Sequence, residues 1–283
     1  MDKAIAFDDH TRLPAIGQGT WYMGEEAARR REEVAALQAG LDAGLTLIDT
    51  AEMYAEGGAE EVVGEALRGR RDSAFVVSKV YPWNASEVDA VDACERSLKR
   101  LGTDRLDLYL LHWRGNVPLE ETIRAMERLQ QQGKILRWGV SNFDVDDLQE
   151  LLSEPGGTAC ATNQVLYHLA SRGIEFDLLP ECQQRQMPVM AYCPLAQAGR
   201  LRQTLFSDAT LLEIAQQKGI SVAQLLLAWV IRNEGVIAIP KASSLAHVQE
   251  NAAALQVRLS DEELARINKA FPPPQHKLAL DVV

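Results

Sequence analysis

Short apolar runs alternate along this chain with stretches in which apolar residues recur every three or four positions. The runs read as strands covered on both faces, since a buried parallel strand needs no polar alternates. Eight are expected, at residues 15–19, 46–49, 74–79, 106–111, 136–141, 159–164, 189–192 and 236–239. Between two of them, Val88, Val91, Cys94, Leu98 and Leu101 stripe one helix face, with Ser86 placed to cap it and Gly102 to end it. Ile123, Met126 and Leu129 mark a second helix that stops at Gly133, and residues 224–232 (QLLLAWVIR) are apolar on most sides, as in a helix covered by neighbours. About eight strand–helix units fit a closed barrel better than an open doubly wound sheet. The expected fold is therefore α/β, a single (β/α)8 TIM barrel. Residues 5–14, with the turn-like pair Asp8–Asp9, read as a short hairpin closing the barrel bottom. No linker or low-complexity tract interrupts residues 1–283, so one domain is expected.

Composition changes the picture mainly by exclusion. The chain has 283 residues, 47% of them hydrophobic, enough for a large core. A net charge of −11 and no basic patch argue against nucleic acid as a partner, though a local cationic pocket for an anionic cofactor can coexist with an acidic surface. Cys94, Cys160, Cys182 and Cys193 are far apart and form no CxxC pair, which points away from zinc or a disulfide framework and toward a reducing compartment. The opening segment is polar without a signal-type apolar core, and the most apolar window, 222–231, falls well short of the ~20 residues a bilayer span needs. A cytoplasmic protein with no membrane partner and no metal is expected.

Four ionisable residues stand just past successive apolar runs: Asp49, Tyr54, Lys79 and His112. Each has an ordinary explanation alone: a turn cap, a packed aromatic, a snorkelling lysine, a satisfied core histidine. Together they would meet on the face where barrel enzymes place their active sites, beyond the carboxyl ends of the strands. A phenol beside an ammonium is a plausible acid for a nascent alkoxide, with Asp49 holding Lys79, and His112 orienting the substrate oxygen. Lys79 is expected to lower the Tyr54 pKa from its ordinary value of about 10. Ser141, Asn142 and Gln164 end two later strands and offer the donors and acceptors an amide requires. A helix start near Ser243 or Ser244, beside Lys241, reads as a phosphate site.

The segments IDTAEMY, GGAEEVVGEAL, VVSKV, DLYLLHW, RWGVSNF, ATNQVLYHL, MAYCPL and IPKASSLAHVQEN occur in an order that resembles the aldo-keto reductase family over nearly the whole chain. The resemblance implies an eight-stranded barrel that reduces aldehydes or ketones with NADPH. It makes Asp49, Tyr54, Lys79 and His112 the catalytic tetrad, with Tyr54 the proton donor. It assigns the nicotinamide carboxamide to Ser141, Asn142 and Gln164, and the stacking aromatic to Tyr192. Pro194, Leu195, Ile239, Lys241, Ser243, His247, Glu250 and Asn251 complete the implied cofactor site, with Glu250 and Asn251 holding the adenine. His247 stands where the family commonly has Arg, and an imidazole lacks both the permanent charge and the bidentate fork, which leaves NADH open as a second cofactor. Trp21, Tyr22, Trp83 and Trp113 follow strands and are expected to wall the substrate pocket. Arg114 and Gly115 replace the Pro that often follows the His–Trp pair, and Arg114 is expected to reach solvent. The short tail after Phe271 suggests a simple, open pocket, and the wording is similar to bacterial members that reduce methylglyoxal and related 2-oxoaldehydes. A monomer acting on a small carbonyl substrate is expected. Two alternatives remain: an NADPH-binding redox-sensing or regulatory barrel with little turnover, and an aldolase-type barrel using Lys79 in a Schiff base. A Rossmann dehydrogenase fails on spacing, because Gly17 and Gly19 are followed by Tyr22 where a third Gly belongs.

Overall fold

A computed structural model describes residues 3–283, so Met1 and Asp2, part of the polar opening segment, lie outside the described residues. The strands, in chain order, are β1 (Ala4–Ala6), β2 (Arg12–Pro14), β3 (Gln18–Gly19), β4 (Leu47–Asp49), β5 (Phe75–Val80), β6 (Leu108–Leu111), β7 (Trp138–Ser141), β8 (Asn163–Leu166), β9 (Val189–Tyr192) and β10 (Val236–Ala238). The helices are α1 (Arg30–Asp42), α2 (Gly58–Ala66), α3 (Asp89–Leu101), α4 (Leu119–Gln131), α5 (Val145–Ser153), α6 (Leu178–Gln184), α7 (Arg200–Ser207), α8 (Ala209–Lys218), α9 (Val222–Val230), α10 (Leu245–Ala253) and α11 (Asp261–Ala270). Strands β3 to β10 form one parallel sheet in sequence order.

That sheet closes on itself. Gly17 N donates to Ala238 O at 2.8 Å, Ala238 N to Ala15 O at 2.8 Å and Gly19 N to Pro240 O at 3.0 Å, which pairs the first barrel strand with the last. The result is the expected (β/α)8 barrel. The first strand is shorter than its apolar run, because residues 15–17 pair only across this seam. Every residue of β5, from Phe75 to Val80, is buried, which explains its lack of alternation.

The hairpin of β1 and β2 sits at the amino ends of the strands. Phe7 stacks on Phe75, the first residue of β5, with ring centroids 5.7 Å apart, and the Arg137 guanidinium lies over both rings. On α3, Val91, Cys94, Leu98 and Leu101 are buried as the stripe predicts, but Val88 precedes the helix and is exposed. The Ser86 hydroxyl still accepts the Asp89 amide at 3.1 Å, and Gly102 ends the helix at φ 63°. Helix α9 is buried on all sides from Leu225 to Val230, because α8 and α10 cover it.

A Cβ built on Gly19 falls 2.7 Å from the Ile239 carbonyl oxygen, at the closing seam. Gly19→Ala is therefore expected to lower the stability of the fold by about 2 kcal/mol through backbone displacement. The denaturant midpoint of unfolding measures it, and an unchanged midpoint contradicts the tight seam.

Candidate active site

The carboxyl ends of the strands deliver polar side chains to one place. Asp49 ends β4, Lys79 is the penultimate residue of β5, and His112 follows β6 directly. Each stands two residues beyond its neighbour's register partner, since Asp49 pairs with Val77 and Lys79 with Leu110, and residues two apart on a strand share a face. Lys79 has no exposed surface, and Asp49 is 2% exposed. The Lys79 ammonium donates to Asp49 Oδ2 at 2.7 Å, Thr50 O at 2.9 Å and the Tyr54 hydroxyl oxygen at 2.9 Å. An ammonium has three N–H donors and no acceptor, so all three are used, and Tyr54 can only be the acceptor in its contact. The phenol proton is thereby directed away from Lys79. An amine so enclosed is unavailable to a substrate, which removes the Schiff-base alternative.

Burial pushes Asp49 up and Lys79 down, each toward its neutral form, while their contact and the Gln164 amide act in the opposite sense on Asp49. Tyr54 departs from expectation. Burial first, then the Asp49 charge, holds its phenol well above the ordinary value of about 10. Tyr54 consequently keeps its proton throughout the physiological range, as a proton donor must. His112 meets Tyr54 edge-on, with centroids 5.9 Å apart, and its Nδ1 has no partner among the described residues. Burial and the nearby Lys79 lower its pKa to about 2, so the imidazole is neutral.

Gln164, on β8, donates to Asp49 Oδ1 at 2.8 Å, a contact not foreseen from the sequence. The Ser141 hydroxyl donates to the Gln164 carbonyl at 2.8 Å, and Tyr192, the last residue of β9, donates to Asn142 Oδ1 at 2.7 Å. Asn142 Nδ2 reaches the His112 carbonyl at 3.1 Å. These polar groups thus form one network with the tetrad positions. Pro194 and Leu195 lie in the turn after β9, which Arg202 ties down through the Leu195 carbonyl. Of eight non-glycine residues with positive φ among those described, six occupy turns beyond strand carboxyl ends: Tyr22, Ala55, Glu56, Asn142, Cys193 and Ala196. Strained backbone concentrated on one face is a mark of a functional site.

Aromatic contacts run without a break around Tyr54. Tyr22 stacks on Trp21, Trp21 lies 6.2 Å from Tyr54, and beyond His112 come Trp113, Trp83 and Tyr81. Trp83 remains 62% exposed, at the rim. Tyr81 was missed because it lies between the apolar run of β5 and the more conspicuous Trp83. Arg114 does not reach out to solvent as expected. It donates to the carbonyls of Gly115 and Val117 and pairs with Glu150, fixing its own loop.

The segment after α11 also differs from the open pocket expected of a short tail. Lys277 pairs with Asp144 and Asp177, and Ser171 bonds to Asp281. The tail is therefore tied down over the loops that follow β7 and β8. On the next strand round the barrel, Ile239 is buried after β10, and Lys241 and Ser243 lead into α10, whose N-cap is Ser244. His247 and Glu250 lie along that helix, His247 exposed, and Asn251 is buried near its end. Arg29, which sequence reasoning did not single out, donates to Ser243 Oγ at 2.9 Å.

The profile of the aldo/keto reductase family matches residues 15–271. The chain belongs to the aldo/keto reductase family. It is 66% identical over 283 residues to methylglyoxal reductase YeaE of Escherichia coli (strain K12), covering all of both chains. It is 35% identical over 271 residues to glyoxal reductase of Bacillus subtilis (strain 168), covering 95% of this chain and 92% of the relative. The crystal structure of an aldo/keto reductase from Klebsiella pneumoniae in complex with NADP and acetate superimposes with a TM-score of 0.98, at 63% identity and full coverage of both chains. Among the described residues of this aldo/keto reductase, no group of three or more His, Cys, Asp and Glu side chains could hold a metal, and no helix is long and apolar enough to cross a membrane.

Two buried histidines make the stability of this reductase acid-sensitive. His112 falls to about 2 and His168 to about 4, the latter chiefly through burial. Both lie below the unfolded value of about 6.5, so the unfolded chain binds more protons, and stability present above that pH is lost as pH falls. Between about pH 6.5 and pH 5, each histidine is expected to remove about 1.4 kcal/mol per pH unit. Denaturant unfolding across that range measures the loss, and a flat profile contradicts the buried neutral state.

Proposed function

We propose that this chain is an NADPH-dependent reductase of small aldehydes and ketones, with 2-oxoaldehydes such as methylglyoxal as its preferred substrates. The observation that carries the reading is the buried ammonium of Lys79, which fixes the Tyr54 phenol oxygen at 2.9 Å while leaving the phenol proton free to be given away. Names of the relatives support the substrate class: the Escherichia coli and Bacillus subtilis proteins are called methylglyoxal reductase and glyoxal reductase. The NADP held by the Klebsiella pneumoniae relative supports the cofactor.

The residues present fit that cofactor. Asn142, Ser141 and Gln164 supply amide and hydroxyl groups for a carboxamide, and Tyr192 presents a ring for stacking. Lys241 and Ser243, at the start of α10, suit a phosphate. When bound, NADPH supplies the hydride that adds to the carbonyl carbon. Tyr54 then gives its proton to the carbonyl oxygen, completing the alcohol. The charge left on Tyr54 is met by Lys79, with Asp49 keeping that ammonium in place, and Tyr54 regains its proton from solvent. The neutral imidazole of His112 orients the carbonyl oxygen by a hydrogen bond, without competing for the proton. Trp21, Tyr22, Trp83 and Trp113 exclude water around the small substrate and select for its size.

The same reading takes the chain as one cytoplasmic domain acting as a monomer. NADPH is preferred to NADH, with the latter accepted less well. Turnover, rather than redox sensing, is the role of a site that fixes its phenol oxygen with a buried ammonium.

The test is NADPH oxidation with methylglyoxal. The parent turns over, and Tyr54→Phe lowers kcat about 10²- to 10⁴-fold, the range for losing a positioned acid, with NADPH binding retained. Equal rates in both proteins remove Tyr54 from the mechanism. A parent that binds NADPH but reduces neither methylglyoxal nor other small aldehydes overturns the reductase reading.

A further inference from the structure

Closure of the barrel brings the first and last strand–helix units together, with α1 packed against α10. Arg29 ends the short 3-10 turn Ala27–Arg29 that leads into α1, while Ser243 precedes the N-cap of α10. The Arg29 guanidinium donates to Ser243 Oγ at 2.9 Å, and Lys241 Nζ stands 3.5 Å from the same oxygen. Two cations from opposite ends of the chain thus converge on one hydroxyl. Among the described residues no carboxylate forms an ion pair with either of them, although the chain as a whole carries −11. Burial first, then the charge of Arg29, holds Lys241 below the ordinary lysine range, and Glu33, Glu25 and Glu32 offset this only through space. Like charges held together without a counterion have an unmet need for an anion.

The guanidinium has five N–H donors in a planar fork, of which Ser243 uses one. The remainder, the Lys241 ammonium and the Ser243 hydroxyl make a set suited to a phosphate monoester with nearly two negative charges. His247, one turn into α10, contributes its backbone amide to the Ser244 cap at 3.3 Å, while its imidazole is exposed and forms no hydrogen bond among the described residues. We infer that Arg29 is a ligand of the 2′-phosphate of NADPH, supplying the guanidinium absent at His247, and is the residue that sets the preference for NADPH over NADH. This rests on the NADPH reading above. The geometry explains how a chain with His at that helix position keeps a phosphate-specific site: the charge arrives across the seam from the first unit.

Equilibrium binding separates this inference from the reading beneath it. NADPH and NADH are each titrated into the parent and into Arg29→Gln, following quenching of tryptophan fluorescence. Loss of a charge-assisted hydrogen bond is expected to raise the Kd for NADPH about 10- to 100-fold in the variant. The Kd for NADH stays the same, because a 2′-hydroxyl makes no such demand, and Arg29→Lys recovers part of the loss. In the parent, NADPH affinity falls with added salt more steeply than NADH affinity, and this difference shrinks in Arg29→Gln. An unchanged Kd for NADPH in Arg29→Gln, or equal weakening of both cofactors, overturns the role of Arg29 while leaving the parent's NADPH binding intact. A parent that binds NADPH no better than NADH overturns the inference and the cofactor preference together.

Discussion

The ammonium of Lys79 is buried without exposed surface, and an isolated charge in that position is untenable unless every donor is satisfied. Asp49, Thr50 and Tyr54 satisfy all three. That arrangement constrains much of what surrounds it. Asp49 must come within reach of Lys79, and the parallel register of β4 and β5 provides this by pairing it with Val77, two residues before Lys79 on the same strand face. Its second oxygen must also be occupied, and Gln164 reaches across the barrel from β8 to do so. Tyr54 must turn back toward β5, and the chain accomplishes this through two consecutive left-handed residues, Ala55 and Glu56, followed by Gly57 at φ 94°. Removing one partner of such a buried pair costs about 3–5 kcal/mol, so the site and the fold are stabilised by the same contacts.

Chemistry follows from the same constraint. Because the lysine donates to the phenol oxygen, the phenol hydrogen is available to a substrate. Because burial raises Tyr54 and lowers His112, one group keeps its proton and the other stays uncharged. Two neighbouring titratable groups are thereby driven apart into distinct roles, acid and neutral orienting group. At the other end of the barrel mouth, electrostatics works in the opposite direction: Arg29 and Lys241 are held close without a counterion, which favours an anion from outside.

Much of this was legible in the sequence. The eight apolar runs predicted the barrel strands, because parallel strands buried on both faces carry few polar residues, and the polar residue that ends a run marks the mouth. Asp49, Lys79 and His112 could be read in that way, as could the Ser244 cap of α10. What could not be read depends on contacts across the closed barrel. Gln164 meets Asp49 over 115 positions, and Arg29 meets Ser243 over 214. Local periodicity carries no information about such pairs. The pKa of Tyr54 was misjudged for a related reason: its direction depends on the depth of burial, which spacing along the chain does not report. Arg114 and the tail were read as open because their partners, Glu150 for one and Asp144, Asp177 and Ser171 for the other, belong to elements distant in sequence.

Lys79 and Tyr54 act as one unit rather than as two independent contributors. A double-mutant cycle on kcat with Tyr54→Phe, Lys79→Met and the combined variant tests it directly, with NADPH binding verified in each. Strong non-additivity is expected, the combined variant losing no more than the more damaging single change, as for residues that work as a unit. Losses that multiply, each substitution reducing the rate by the same factor whether or not the other is present, would contradict it.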